Sequence, residues 1–140
     1  MALVEMAIAC SLLIGHDEGP MCRTWIRPME RYLQPTEFFD FDNPELNSWI
    51  AAQLDGVPND PVVRIRALYL AVRDSINYNP YVFRTDPATF SASYALRSGE
   101  TYCIPKAVLL GAAARSIGIP SRLGLADVRN HLSSPRLIEW

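Results

Sequence analysis

Apolar residues Leu46, Trp49, Ile50 and Leu54 recur at i, i+3, i+4 and i+8, the spacing of a helix with one buried face. Asp42 or Asn43 is placed to cap it and Pro44 to occupy its first turn, where a missing N–H breaks no hydrogen bond. Trp49 is assigned to the core of that face. A turn cluster, Asp55-Gly56-Val57-Pro58-Asn59, separates it from a second helix opened by Asp60 and Pro61. Val62, Val63, Ile65, Leu68, Tyr69, Leu70, Val72 and Ile76 put apolar groups on several faces of this second helix, which predicts a largely buried element. Arg64, Arg66, Arg73 and Asp74 mark its wetter strip.

Asn79 before Pro80 ends the pattern, since a residue preceding proline is pushed out of the helical region. Tyr81-Val82-Phe83 is too short to assign, and Asp86-Pro87 reads as another turn or cap. Ser91 to Arg97 predicts a short helix, released by Ser98 and Gly99. Partial alternation in Glu37-Phe38-Phe39-Asp40-Phe41 suits a short extended segment, and Arg122 to Val128 alternates well enough for a strand. A further loop and helix are expected over Asn130 to Trp140, with Ser133 or Ser134 capping and Pro135 at the first position.

The most informative stretch runs from Gly99 to Arg122. Pro105 suits a first helical turn, and Gly118 followed by Pro120 is a stop signal. Cys103 therefore falls at the start of an Ala/Leu-rich helix, where unpaired backbone N–H groups and the positive end of the helix dipole favour anionic sulfur. Those same N–H groups can face an oxyanion. A buried, inert cysteine is the competing reading of this position. The phenols of Tyr78 and Tyr102 are aromatic hydroxyls that could assist, and packing is the role assigned to both.

The loop with Gly99, the Cys103 helix and its Arg115-Ser116-Ile117-Gly118-Ile119-Pro120-Ser121-Arg122 ending resemble the nucleophile segment of the transglutaminase-like superfamily. Tyr32-Leu33-Gln34-Pro35-Thr36 and Val72-Arg73-Asp74-Ser75-Ile76-Asn77-Tyr78 are similar to its bacterial branch, extending the likeness over residues 29–140 and leaving residues 1–28 as an extension outside it. The resemblance implies an α+β, papain-like fold, here reduced to its mainly helical N-terminal part and the first strand of its sheet. It also implies a Cys-His-Asp triad performing acyl transfer or hydrolysis on a protein or peptide amide, without a cofactor, with Cys103 as the catalytic residue and His and Asp on strands after the cysteine helix. In a truncated domain, the apolar face around Val108, Leu109 and Leu110 would lose most of its cover, inviting self-association.

The base departs from that pattern. His16 and His131 are the two histidines of the chain. His131, with Asp127 four positions before it, is followed by Leu132-Ser133-Ser134-Pro135 and lacks the aromatic strand context of the family's histidine. It is assigned to the surface or to a cap, which places the true His and Asp beyond Trp140 and keeps open an alternative: a catalytically incomplete binding or scaffold fragment. A metal-dependent hydrolase built on His16, Asp17 and Glu18 is the weakest reading, because adjacent residues do not converge easily on one ion.

Composition narrows the setting. Hydrophobic residues make up 49% and charged residues 20% of 140 positions, with a formal net charge of −2, an ordinary globular balance with no signature of nucleic-acid or anionic-membrane binding. Cys10, Cys22 and Cys103 form a sparse, odd set without a C-x-x-C spacing, which argues against a disulfide framework or a zinc site and suggests a reducing, cytoplasmic location. The apolar run Met6 to Ile14 has the length of a signal-peptide core, but no basic residue precedes it, since Arg23 is the first, and Glu5 sits just upstream. It is also far short of the roughly 20 residues that span a bilayer. Met21 or Met29 is a candidate for the functional start.

Overall fold

A computed structural model of the chain describes residues 29–124. Four α-helices carry the body: α1 (Pro44–Gln53), α2 (Pro61–Ser75), α3 (Ala92–Ser98) and α4 (Cys103–Ser116). Two short strands, β1 (Asn77–Tyr78) and β2 (Glu100–Thr101), pair in parallel with Asn77 opposite Glu100 and Tyr78 opposite Thr101. Single turns of 3-10 helix at Arg31–Leu33, Pro80–Val82 and Pro87–Phe90 complete the order. A mostly helical body with this small sheet is an α+β arrangement.

One local device starts four of these elements. Asn43, Asp60, Asn79 and Asp86 each precede a proline, and each side-chain oxygen accepts backbone N–H groups of the turn that follows. Asn43 caps α1 through bonds of 3.0 and 3.4 Å from the Glu45 and Leu46 amides. Asp60 caps α2 with bonds of 3.0 and 2.9 Å from Val62 and Val63. A cap of this kind contributes about 1 kcal/mol, and the proline's fixed φ already matches the helix. At the other end, α4 closes as Gly118 and Pro120 predict. Gly118 takes φ 81°, its N–H bonds Arg115 O at 3.0 Å, and Ile119 N–H reaches back to Ala114 O at 2.9 Å. This is a Schellman closure, which needs the left-handed residue that glycine supplies without strain.

The core is wrapped around α4. Val108, Leu109, Leu110, Ala112 and Ala113 are buried with Leu46 and Ile50 of α1, Leu68 and Val72 of α2, Ala92 and Ala95 of α3, and Phe39. The face expected to lie uncovered is therefore covered: Val108, Leu109 and Leu110 are all at most 2% exposed, because α1, α2 and α3 close over them. Self-association through that face loses its basis. Trp49 packs against the core from its edge, as assigned.

Two further expectations are corrected. Helix α2 is not largely buried: within it Leu68 and Val72 are enclosed, while Val62, Val63 and Tyr69 remain exposed. With Ile65 and Ile76 these enclosed residues form one narrow stripe at helical spacing that packs into the core. Residues 37–41 form a bend and turn rather than an extended segment. Thr36 Oγ1 accepts the Phe39 N–H at 3.2 Å and Thr36 N–H donates to Phe39 O at 3.3 Å, a local turn that sends Phe39 inward and leaves Phe38 edge-on to Phe90 at the surface. Arg122 to Gly124 adopt no regular element. The rest of the strand expected over 122–128 and the helix over 130–140 lie outside the described residues.

Phe39 is held from two sides. Its ring lies against Gly111, where a Cβ would collide with the ring edge, and the Arg115 guanidinium stacks over it at 4.0 Å. Alanine in place of a helical glycine ordinarily gains about 1 kcal/mol, whereas forcing bulk into a filled core costs about 1–3 kcal/mol. Gly111→Ala is therefore expected to destabilise the wild-type chain in urea unfolding. In a Phe39→Leu background, which vacates the ring position, the same substitution is expected to stabilise.

Candidate active site

The segment that delivers Cys103 is fixed by main-chain bonds to the end of α2. Asn77 N–H donates to Gly99 O at 2.8 Å and Asn79 N–H to Thr101 O at 2.9 Å. The Asn79 side-chain amide adds a bond of 3.2 Å to the Glu100 carboxylate. Gly99 ends α3 in the left-handed conformation at φ 66°, which turns the chain from helix into β2 within one residue. Tyr102 and Cys103 follow at once.

Cys103 is the first residue of α4, half-buried, with a free thiol. Tyr102 at the cap position offers no side-chain oxygen to the helix, and Pro105 has no N–H to satisfy. The Cys103 and Ile104 amides are thus left without a side-chain cap at the positive end of a 14-residue helix, where an anion is stabilised by N–H groups and dipole together. Of the sequence-predicted groups, the structure places Cys103, Tyr78 and Tyr102. His16, His131, Asp127, Cys10 and Cys22 lie outside the described residues, as do Asp17 and Glu18. Among the described residues no cluster of metal-ligating side chains occurs, and no helix is long and apolar enough to cross a membrane.

Tyr102 is buried, at 8% exposure. Its ring is met edge-on by Phe83 at 5.5 Å and by Phe90 at 6.3 Å, which bears out its packing role. Its hydroxyl, however, is buried with no hydrogen-bond partner among the described residues. Desolvation pushes the Tyr102 phenol above its ordinary range, and the charge of the neighbouring Cys103 sulfur adds to the shift. Beside it lies a cavity of about 120 Å³ whose walls include Arg84, Thr89, Tyr94, Ser98, Glu100 and Tyr102, a lining rich in hydroxyls. Tyr81 is 93% exposed and Phe83 and Tyr78 are also exposed, so the approach to this end of α4 is rimmed with aromatic surface. A larger hollow, about 410 Å³, is an open groove on α1 and α2 that Cys103 does not reach, and its size says nothing about chemistry.

Lys106 is the site residue that sequence reasoning passed over. Its ammonium reaches main-chain carbonyls at the end of α2, donating to Ile76 O at 2.5 Å and Arg73 O at 3.3 Å. A signal was present: it is the lone charged side chain between Cys103 and Arg115 in a helix that is otherwise almost wholly apolar.

A buried hydroxyl without a partner carries an uncompensated desolvation cost, so Tyr102→Phe is expected to raise unfolding stability by about 1 kcal/mol. The phenol's folded value lies above its unfolded one. Folding is therefore insensitive to this group below the ordinary phenol range and loses stability as pH rises from there through the raised value. In an alkaline absorbance titration one tyrosine is expected to ionise late, together with unfolding, and that late step is expected to vanish in Tyr102→Phe.

No curated protein and no solved structure matches the chain. A family model does match, over residues 49–136, a span that takes in α2, the small sheet, Cys103 and all of α4. That span is more than half of the chain, and the protein belongs to the transglutaminase-like superfamily.

Proposed function

We propose that the chain is the nucleophile-bearing part of a cysteine enzyme that acts on amide or peptide carbonyls, with Cys103 as its catalytic residue. The observation that carries this reading is the position of Cys103 at the uncapped start of a long, fully wrapped helix, inside the span matched by the superfamily. In the reaction, Cys103 Sγ attacks the carbonyl carbon and the carbonyl oxygen takes up the negative charge, facing the free N–H groups at the head of α4. Collapse expels the amine, which leaves with a proton, and a thioester remains on Cys103. Water then gives hydrolysis, or a second amine gives transfer. The proton is carried by a histidine oriented by an acid, both contributed from outside the described residues by strands following the cysteine helix. The chain is thus read as the mainly helical N-terminal part of a papain-like fold.

Peptide mapping after a brief exposure to iodoacetamide at neutral pH tests the nucleophile. Cys103 is expected to be alkylated about tenfold faster than Cys10 or Cys22. With an activated ester as acyl donor, intact-mass measurement is expected to show one acyl group, lost in Cys103→Ala. Equal labelling of the three cysteines, with no acyl adduct, would sink the enzyme reading and leave a binding or scaffold part.

A further inference from the structure

We propose that Lys106 is a positioning residue for Cys103: its ammonium, bonded to the main-chain carbonyls that end α2, holds the first turn of α4 and thereby the sulfur in place. The inference rests on the reading of Cys103 as the nucleophile and adds a residue to it.

The last carbonyls of a helix have no partner within it and carry the negative end of its dipole. In α2 those groups are not served by its own last-turn cation, since Arg73 is turned to Asp74, with Nε donating to the carboxylate at 2.6 Å. Lys106 serves them from another helix, bonding Arg73 O and Ile76 O. It stands three residues after Cys103, about one turn along and on the same side of α4. Burial draws the ammonium's pKa down while Asp74 opposes that shift, so the cation sits partly desolvated between two main-chain oxygens.

The topology turns these two bonds into a closed circuit. Ile76 leads directly into β1, β1 pairs with β2, and β2 runs through Tyr102 into Cys103. From Cys103 the chain rises to Lys106, whose ammonium returns to Ile76. Cys103 is held on its N-terminal side by the strand ladder and on its C-terminal side by Lys106. Without the second hold, the uncapped first turn keeps the strand ladder and the packing of buried Pro105 but loses its polar tie to the end of α2.

The test uses the full chain as wild type, Lys106→Met and Lys106→Arg. Two readouts are taken: the iodoacetamide rate at Cys103 relative to Cys10 and Cys22, and amide hydrogen exchange. Lys106→Met, which keeps the apolar stem, is expected to slow Cys103 alkylation about fivefold, the scale of a lost cation–dipole and charge contact. It is also expected to speed exchange at Lys106 and Ala107 while leaving Leu109 to Ala114 protected. Lys106→Arg, which keeps the charge and the donors, is expected to restore both. An unchanged or faster alkylation ratio in Lys106→Met, or unchanged first-turn exchange, overturns the proposal. Should Lys106→Met not fold, wild-type exchange decides: Asn77, Asn79, Lys106 and Ala107 amides are expected to open as one unit, and independent opening overturns the proposal. Equal alkylation of all three cysteines in the wild type would defeat the nucleophile reading while leaving the exchange result to stand or fall separately.

Discussion

Helix α4 has almost no polar face, and the rest of the structure follows from the need to enclose it. Between Pro105 and Arg115 the buried positions are Pro105, Val108, Leu109, Leu110, Ala112, Ala113, Ala114 and Arg115, too many for one stripe. A helix apolar around its circumference is stable in water only when other elements surround it. Three helices and the Phe39 turn supply that cover, and the small side chains at Gly111, Ala112 and Ala113 set how closely they approach. A helix enclosed in this way cannot slide or roll without breaking several contacts at once. The position of its first residue, Cys103, is inherited from that confinement.

The two cations of α4 sit near opposite ends of it and do related work. Arg115 is 7% exposed and has no carboxylate partner among the described residues. Its guanidinium donates instead to Gln34 O at 2.7 Å and to Ser121 O at 2.7 and 3.1 Å, and lies over the Phe39 ring. Burial draws its pKa down, yet a guanidinium stays charged at any ordinary pH. The planar donors tie the segment before α1 and the segment after Gly118 to one point on the helix. Lys106 does the same at the cysteine end with the close of α2. In both cases a cation is matched to main-chain carbonyls, which fixes chain paths that are remote in sequence without burying a second ionised group.

What was legible in the sequence was what local chemistry decides. The Asx-Pro pairs announced the starts of α1 and α2, the Gly118-Pro120 pair announced the end of α4, and Cys103 fell at a helix head because Pro105 follows it. What was not legible depended on partners distant in the chain. The β1–β2 pairing is two residues long, too short for any alternation to appear. The many apolar residues of α2 predict deep burial, but they do not say how many neighbours arrive, and Val62, Val63 and Tyr69 stay exposed. Glu37 to Phe41 alternate in part as strand residues do, yet the Thr36 hydroxyl and backbone close a turn with Phe39. Lys106 could be noticed as a charge in an apolar helix, but its destination at Ile76, 30 positions away, is a tertiary fact.

The same contacts constrain where the base of a cysteine reaction can come from. Attack by a thiol requires a neighbour able to take a proton near neutral pH and return it. Tyr102 does not meet that requirement, since its phenol is pushed above its ordinary range and stays protonated. Nor does Lys106, whose ammonium is engaged by two carbonyls as a donor; giving up its proton would undo the contact that holds the turn. Glu100 has its carboxylate bonded by Asn79 within the strand pairing, where its role is to fix β2. Tyr102, Lys106 and Glu100 thus serve packing and hydrogen bonding around Cys103, and in the proposed reaction proton transfer falls to groups outside residues 29–124. In the proposed enzyme, positioning and proton transfer would reside in separate layers, and the helical layer can hold its half of the geometry because α4 is fixed by its packing and by the polar ties of Lys106 and Arg115.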